Sequence, residues 1–207
     1  MKTICINGII GAGKTTFVKK YSEYLQSLGC TVITVYEAVQ DWIDNGMLDL
    51  FYKDPVRWGY TFQTMVYESR ITTINNAYTN YMAAHENKEP DYILLDRSPE
   101  TDQLFMELLY EAKTVTSSEY GLYTKWKELW RTTLLVKPDI YVYINPSVEV
   151  CMDRLKSRGR KEETTIPKKY QTALATKHDI FLCSKEDVIL VGDTYVLDTV
   201  HSKITLL

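Results

Sequence analysis

The feature that most constrains this chain is a glycine-rich segment near its start. Residues 8–15, GIIGAGKT, match the pattern G-x-x-x-x-G-K-[ST] and follow an apolar, β-rich run over Thr3–Asn7. A stretch with helical spacing, Thr15 to about Leu28, comes next. A turn of this kind directs backbone N–H groups and a helix N-terminus at one point, which favours a bound anion. A chance Lys-Thr in an ordinary turn is the plain alternative, and the strand–helix placement argues against it.

The pattern also predicts the ligand. Lys14 would reach the β- and γ-phosphates of ATP, and Thr15 would place its hydroxyl on Mg²⁺. We therefore predict that the loop and the next residue bind ATP with Mg²⁺ through Gly8, Ile9, Ile10, Gly11, Ala12, Gly13, Lys14, Thr15 and Thr16.

Strands and long helices alternate along the rest of the chain. Apolar runs predict strands at Thr31–Tyr36, Tyr92–Leu95 and Ile140–Ile144, with a fifth at either Val188–Val191 or Tyr195–Leu197. Helical spacing is found over Pro55–Ala84, Glu119–Val136, Val148–Arg158 and Pro167–Leu182. This alternation predicts an α/β fold: a P-loop NTPase-type three-layer sandwich with a five-stranded parallel sheet flanked by helices. We expect one domain over residues 1–207.

Composition excludes several classes of protein. The formal net charge is −3, so the chain lacks the basic footprint of a nucleic-acid-polymer binder. No apolar run is long enough to span a membrane. Cys5, Cys30, Cys151 and Cys183 are scattered without a CxxC pair, which favours a reducing compartment over a disulfide framework or a zinc site. Because a strand begins at Thr3, we expect no signal or transit peptide and a cytoplasmic enzyme.

Charged residues follow two of the predicted strands. Glu37 comes directly after the second strand, and Asp96-Arg97 after the third, at the sheet edge that holds ligands in such folds. Glu37 could accept the proton of an attacking hydroxyl, and Asp96 could hold Mg²⁺ directly or through water. Arg97 could contact the acceptor oxygen or the transferred phosphoryl group. By position alone, a solvated loop glutamate and a surface ion pair explain these residues equally well.

A cluster of basic residues ends one predicted helix. Arg154, Lys156, Arg158 and Arg160 precede Glu162-Glu163. A flexible basic loop can close over ATP and stabilise the charge that develops during transfer. A solvated helix end is the plain alternative, and the phosphate loop in the same chain favours a basic lid over about residues 158–165.

The base-reading Asn-Lys-x-Asp of a GTPase is absent, since residues 87–90 read NKEP. A large ATPase motor would normally be longer. A small-molecule kinase, which needs an acceptor pocket and mobile arginines, remains.

Four spaced motifs narrow the class further. They are residues 37–42 (EAVQDW), residues 52–55 (YKDP) with Trp58 and Phe62-Gln63, residues 96–98 (DRS), and residues 158–163 with Ile166-Pro167 and Tyr170. Over about Lys2 to Asp198 the chain resembles the deoxynucleoside kinases of the deoxycytidine, deoxyguanosine, deoxyadenosine and insect multisubstrate type. It departs from that pattern at Ala38, where the family has proline, and at Ile9, where the family often has asparagine.

The resemblance implies transfer of the ATP γ-phosphoryl group to the 5′-hydroxyl of a deoxynucleoside, as in nucleotide salvage. Glu37 would be the general base, with Arg97 and Lys14 as its catalytic partners. Mg²⁺ would lie at Thr15 and Asp96. The phosphates of ATP would also meet the basic residues Arg154, Arg158 and Arg160.

The resemblance also implies an acceptor pocket. Tyr52 and Glu163 would bind the 3′-hydroxyl of the sugar, and Gln63 would pair with the polar edge of the base. The apolar walls would be Ile10, Trp42, Phe62 and Met106. Without the resemblance, the last three are typical core residues.

Two residues bear on the base. Arg70 lies seven residues after Gln63 on one predicted helix face, and Asp102 lies one turn after Ser98. In the family, an Arg–Asp pair at these places accompanies deoxycytidine and purine deoxynucleosides, so dC, dA or dG is expected before dT. A structural ion pair is the alternative.

The adenine-binding loop is placed at Asp198–His201, after a strand over Tyr195–Leu197, with Gly192–Thr194 as the alternative. Family members are commonly homodimers, here through the long helix and the segment around Trp126 and Trp130. A deoxynucleoside triphosphate often inhibits them.

Two other functions stay open. A nucleoside monophosphate kinase resembling thymidylate kinase shares the loop, an Asp-Arg and a lid, but would need further arginines for the acceptor's phosphate. A non-catalytic nucleotide-binding module would be expected to have lost Lys14, Thr15, Glu37 or Arg97.

Overall fold

The computed structural model describes residues 1–163 and 165–207. Five parallel strands lie at its centre: β1 (Lys2–Asn7), β2 (Val32–Val35), β3 (Tyr92–Asp96), β4 (Ile140–Ile144) and β5 (Val188–Val191). They are ordered β2-β3-β1-β4-β5. Pairing sets Ile4 opposite both Leu94 of β3 and Ile140 of β4. The carboxyl ends of the strands therefore meet at one edge, as the sequence predicts for a doubly wound sheet.

Helices connect the strands. The described residues form α1 (Lys14–Ser27), α2 (Val39–Asp44), α3 (Met47–Lys53), α4 (Pro55–Ala84), α5 (Pro99–Glu111), α6 (Ser117–Arg131), α7 (Val148–Arg158), α8 (Lys168–Cys183) and α9 (Leu197–Leu206). A 3₁₀ turn, Lys161–Glu163, lies between α7 and α8. No helix among the described residues combines the length and apolar character needed to cross a bilayer.

The sheet is covered on both faces, because successive side chains of a strand point to opposite sides. Ile4 and Ile6 belong to a buried cluster that contains Phe17 of α1 and Ile204 of α9. Cys5, between them, belongs to another cluster with Leu182 of α8. This arrangement confirms the predicted three-layer α/β sandwich.

The structure decides between the two alternatives for the fifth strand and shortens one predicted helix. The fifth strand is Val188–Val191, which pairs with β4, whereas residues 195–197 run into the start of α9. The helix predicted over Glu119–Val136 ends at Arg131. The hydroxyls of Thr132 and Thr133 donate back to the carbonyls of the preceding turn, a local bond that competes with helix extension.

Candidate active site

One cavity of about 720 Å³ opens at the carboxyl edge of the sheet. Its lining combines the phosphate loop, Glu37 two residues beyond β2, Arg97 directly after β3 and the basic segment at the end of α7. Of the residues singled out from sequence, it is lined by Ile10, Gly11, Ala12, Gly13, Lys14, Thr15, Thr16, Glu37, Trp42, Tyr52, Phe62, Gln63, Arg97, Asp102, Arg154, Arg158, Arg160 and Glu163.

The phosphate loop is packed tightly against its surroundings. A Cβ at Gly8 would lie 2.5 Å from the carbonyl oxygen of Ile144, and one at Gly11 would lie 2.7 Å from that of Cys151. Both glycines also have positive φ. These two contacts explain why the loop needs glycine here: a side chain would push it off β4 and α7.

Lys14 is buried at the centre of the loop. Its Nζ donates to the carbonyl of Ile9 at 3.1 Å, so the loop itself holds the ammonium group. Burial, together with the nearby Arg97, lowers the pKa of Lys14 to about 8, although Asp96 and Glu37 oppose the shift. A negatively charged ligand in the cavity would therefore stabilise the charged form of Lys14.

Thr15 and Asp96 form the part of the site suited to a metal ion. The Thr15 hydroxyl donates to Asp96 Oδ2 at 2.6 Å. Asp96 Oδ1 is buried and has no hydrogen-bond partner among the described residues. Burial raises the pKa of Asp96, and the charge of Glu37 adds to the rise. The Thr15 hydroxyl and the Asp96 carboxylate, one oxygen of which has no partner, fit Mg²⁺, which takes most of its ligands from phosphate and water.

Glu37 lies between two arginines. Its Oε1 accepts from Arg70 Nη2 at 3.0 Å and is also 3.0 Å from Arg97 Nε. Burial by itself would raise the pKa of Glu37, but Arg97, Arg70 and Lys14 overcome that effect and hold it at about 2. The carboxylate is therefore ionised and oriented before any ligand binds.

Arg70 is placed behind Glu37 and does not line the cavity. Its guanidinium makes two hydrogen bonds to the carboxylate of Asp102 and donates through Nη1 to the carbonyl of Asp96 at 2.8 Å. Asp102 does line the cavity. The predicted pairing of Arg70 with Asp102 is thus present, and it is linked through Arg70 to Glu37.

Aromatic side chains form the far end of the cavity. Phe62 stacks on Phe51 with ring centroids 4.6 Å apart and meets Trp42 edge-on at 5.7 Å. Gln63 is buried, and no hydrogen bond joins its amide to the described residues. A flat ring with a polar edge fits such a slot, because the phenyl rings present faces and the amide presents a donor and an acceptor.

Met106 does not form part of this wall. It is fully buried in the cluster behind Phe62, and its neighbour Phe105 lines the cavity instead. Successive helix residues point about 100° apart, so a wall residue and a core residue can be adjacent in sequence.

The basic segment after α7 contacts Glu163. Arg158 and Arg160 both pair with its carboxylate, the second through Nη1 at 2.5 Å. Glu163 itself is buried. Residue 164, within the predicted lid of about 158–165, lies outside the described residues.

The other end of the cavity is built by α7 and the loop after β5. Arg154 donates to the carbonyl of Ala12 at 3.2 Å and pairs with Asp193. Asp193, Thr194 and Tyr195 line the cavity here.

Asp198 lies apart from this end of the cavity. It stands in the first turn of α9 and accepts from the Tyr24 hydroxyl at 2.7 Å, outside the cavity lining. Of the two segments predicted for the adenine loop, Asp198–His201 thus belongs to α9, whereas Thr194 of the Gly192–Thr194 alternative lines the cavity.

Several lining residues were not predicted from sequence to line the site: Leu48, Phe51, Val66, Phe105, Asp193 and Tyr195, while Val39 and Tyr170 stood in the spaced motifs without an assigned role. Leu48 and Phe51 lie on α3, a helix of seven residues whose short apolar pattern gave no clear period. Tyr195 directly follows the alternative adenine segment, which is the one signal that pointed to it.

Comparison with known proteins adds independent information. The model of the family described as deoxynucleoside kinase matches residues 4–203. A probable deoxycytidine kinase of fowlpox virus is 33% identical over 171 residues, which cover 82% of this chain and 66% of that protein. Deoxycytidine kinase 1 of Xenopus laevis is 29% identical over 188 residues, covering 82% and 69%.

The mitochondrial thymidine kinase 2 of Homo sapiens is 30% identical over 172 residues, covering 81% of this chain and 59% of that protein. The chain thus spans about two thirds of the length of these relatives.

Proposed function

Because the chain belongs to the deoxynucleoside kinase family, we propose that it transfers the γ-phosphoryl group of ATP to the 5′-hydroxyl of a deoxynucleoside. The observation that carries the proposal is the placement of Glu37. Its ionised carboxylate shares one cavity with the phosphate loop and with an aromatic slot that contains Gln63. In-line transfer requires a phosphate site, a general base and a slot for the acceptor, and this cavity combines all three.

In this mechanism Glu37 orients the acceptor hydroxyl and takes its proton. Lys14 and Arg97 stabilise the negative charge that spreads over the transferred group. Thr15 and Asp96 would hold Mg²⁺, which would neutralise part of the charge of the phosphates. Closure of Arg158 and Arg160, at and after the end of α7, would exclude water and limit ATP hydrolysis.

Tyr52 and Glu163 are proposed to bind the 3′-hydroxyl of the sugar, and Gln63 the polar edge of the base. Glu163 is held by Arg158 and Arg160, so a sugar hydroxyl would join an existing charged cluster. At the donor end, Tyr195 and Arg154 flank the space that would take the adenine.

The proposed preference is for dC, dA or dG over dT. The cavity wall at Asp102 is a carboxylate fixed by Arg70, which can accept a hydrogen bond from an exocyclic amino group but offers no apolar contact to a thymine methyl group. The relatives bear names of both kinds, deoxycytidine kinase and thymidine kinase, so this preference needs its own test.

The activity is tested by ATP-dependent phosphorylation of dA, dG, dC, dT and dCMP side by side. Turnover of a nucleoside with no turnover of dCMP is the expected result. Turnover of dCMP alone would favour a nucleoside monophosphate kinase. ATP binding without turnover of these or other acceptors would favour a non-catalytic module.

The base preference is tested by Arg70→Met combined with Asp102→Ala, read as the ratio of kcat/KM for dT to that for dC. Because Arg70 also contacts Glu37, the ratio is the measure and not the absolute rate. We expect it to rise at least tenfold. An unchanged ratio would show that the Arg70–Asp102 pair is only structural.

We further propose a homodimer and inhibition by a deoxynucleoside triphosphate. The dimer is supported by exposed apolar side chains on α6, namely Leu122, Trp126 and Leu129. Inhibition is supported by the shared cavity, in which a deoxynucleoside triphosphate whose nucleoside part is held in the aromatic slot would direct its phosphates at the loop. Addition of each dNTP in turn to the assay tests this inhibition.

A further inference from the structure

A buried histidine of α8 contacts an arginine of the candidate active site without lining the cavity itself. The side chain of His178 has no exposed surface. Its Nδ1 lies 2.8 Å from the carbonyl oxygen of Leu174, and its Nε2 lies 3.1 Å from Arg97 Nη1. A carbonyl oxygen can only accept, so Nδ1 carries the proton and Nε2 is left with a lone pair. The arginine therefore donates and the histidine accepts.

The ring is fixed in this orientation by its neighbours. Tyr143 lies nearly parallel to it, with an interplanar angle of 14°, and Phe105 meets it edge-on at 89°. The guanidinium of Arg97 also lies 4.8 Å from the centroid of the Phe105 ring. Burial, with Arg97 next to it, lowers the pKa of His178 to about 3, so the imidazole is neutral at any ordinary assay pH.

Arg97 needs such a partner because its own conformation is constrained. It has a φ of +70°, which is uncommon for a residue with a side chain, and its guanidinium is buried. Glu37 lies at Nε and His178 at Nη1, so the two partners contact different nitrogens. Together the two contacts fix the plane of the guanidinium, because each holds a different nitrogen.

We propose that His178 is a positioning residue, whose neutral imidazole holds the Arg97 guanidinium so that its remaining N–H groups face the phosphoryl group being transferred. The proposal rests on the proposed kinase function and adds a residue outside the cavity lining to it. Loss of the contact should affect the transition state more than the binding of either substrate, because an arginine that turns away still leaves both binding regions intact.

The test compares two substitutions of similar size. In His178→Gln the amide oxygen can still accept from Arg97, whereas His178→Met offers no comparable acceptor. We expect Met to lower kcat roughly 10- to 100-fold, the range for loss of a hydrogen bond to a charged group. The KM values for nucleoside and ATP should stay within about twofold, and Gln should recover most of kcat. Thr176→Ala, on the exposed side of α8, is the matched control and should leave kcat unchanged.

A cycle with Arg97→Ala keeps the test independent of packing. If His178 acts through Arg97, His178→Met should lower kcat much less in the Arg97→Ala background than in the wild type. Three results would each overturn the proposal. The first is an equal loss of kcat in the wild-type and Arg97→Ala backgrounds. The others are an equal loss of kcat in His178→Gln and His178→Met that parallels a fall in melting temperature, and a wild-type kcat in His178→Met. An inactive wild-type protein would instead overturn the proposed function, so the two failures are distinguishable.

Discussion

Glu37 is well oriented for a general base, but its carboxylate is only weakly basic. Arg70 and Arg97 fix its carboxylate, and the same arginines, with Lys14, hold its pKa at about 2. A carboxylate this weakly basic takes a proton only late in the transfer, when the acceptor oxygen has become acidic through bonding to phosphorus. In the proposed mechanism, its main contribution before that point would be to orient the hydroxyl.

This chemistry predicts the effect of Glu37→Gln. The amide keeps the shape and can still contact the acceptor hydroxyl, but it cannot take a proton. We expect kcat to fall by about 10²- to 10⁴-fold while the nucleoside dissociation constant changes by less than about threefold. Steady-state kinetics and calorimetric titration of the nucleoside measure the two quantities. An unchanged kcat would show that Glu37 is not the base.

The lowered pKa of Lys14 predicts that kcat/KM for ATP falls on the alkaline side of its pH profile. Its pKa is lowered to about 8 in the ligand-free chain, so the ammonium is charged below that pH and loses its proton above it. We expect kcat/KM for ATP, which reports the free enzyme, to fall as pH rises through about 8. Bound phosphates favour the charged form, so kcat should hold to higher pH. An alkaline limb of equal pKa in both parameters would contradict this explanation.

Sequence patterns located the charged groups at the carboxyl edge of the sheet better than the cavity walls. Glu37, Asp96 and Arg97 are predictable because the ends of parallel strands must meet at one edge. Met106 and Phe105 show the limit: both are apolar, they are adjacent on α5, and only the rotation of the helix against α4 decides which side chain faces the cavity.

At the scale of whole elements, predictability followed the strength of local signals. The bounds of α4 were predicted correctly, since Asp54 caps it by accepting from the backbone N–H of Arg57 and Pro55 stands at its first position. The run at residues 195–197 was misleading because a short apolar stretch fits a strand and a helix start equally. Only pairing with β4, a long-range property, selects Val188–Val191.

Helix α8 gives a further prediction at this scale. Gln171, two turns before His178, is fully buried and donates through Nε2 to the carbonyl of Ile10 at 2.6 Å, so the helix also supports the phosphate loop. Gln171→Leu would leave that carbonyl without its donor. We expect a loss of about 1–3 kcal/mol in the free energy of unfolding and a raised KM for ATP.

The control for this substitution is the adjacent, exposed Thr172→Ala, which should change neither quantity. Chemical denaturation and steady-state kinetics measure both variants. A KM for ATP that stays at the wild-type value in Gln171→Leu would show that the loop keeps its conformation without α8.

Across the whole molecule, the donor and acceptor halves of the cavity are joined by shared charges. Arg70 links Asp102 at the acceptor wall to the carbonyl of Asp96 beside the phosphate loop, and Glu37 lies between them. Glu163 in turn is held by two arginines that the phosphates would attract. In the proposed mechanism, binding at either half would therefore change the charge felt at the other.

The surface of the molecule carries the last prediction. Leu122, Trp126 and Leu129 follow one another at helical spacing on α6 and are 45%, 38% and 54% exposed. A stripe of this kind can bury itself against the same stripe of a second copy around a two-fold axis. Light scattering after gel filtration should therefore give the mass of a dimer for the wild-type chain.

Leu129→Glu places a charge in that stripe. We expect this variant to be a monomer. The stability of the subunit itself should be nearly unchanged, as measured by its melting temperature, because the Leu129 side chain makes little contact within its own chain. Ile180→Glu is the matched control: this side chain is 68% exposed, on α8, and its substitution should leave the dimer intact. A monomeric wild-type chain, or equal dissociation by both substitutions, would exclude α6 as the interface, since a specific contact must respond to a charge at one surface and ignore it at another.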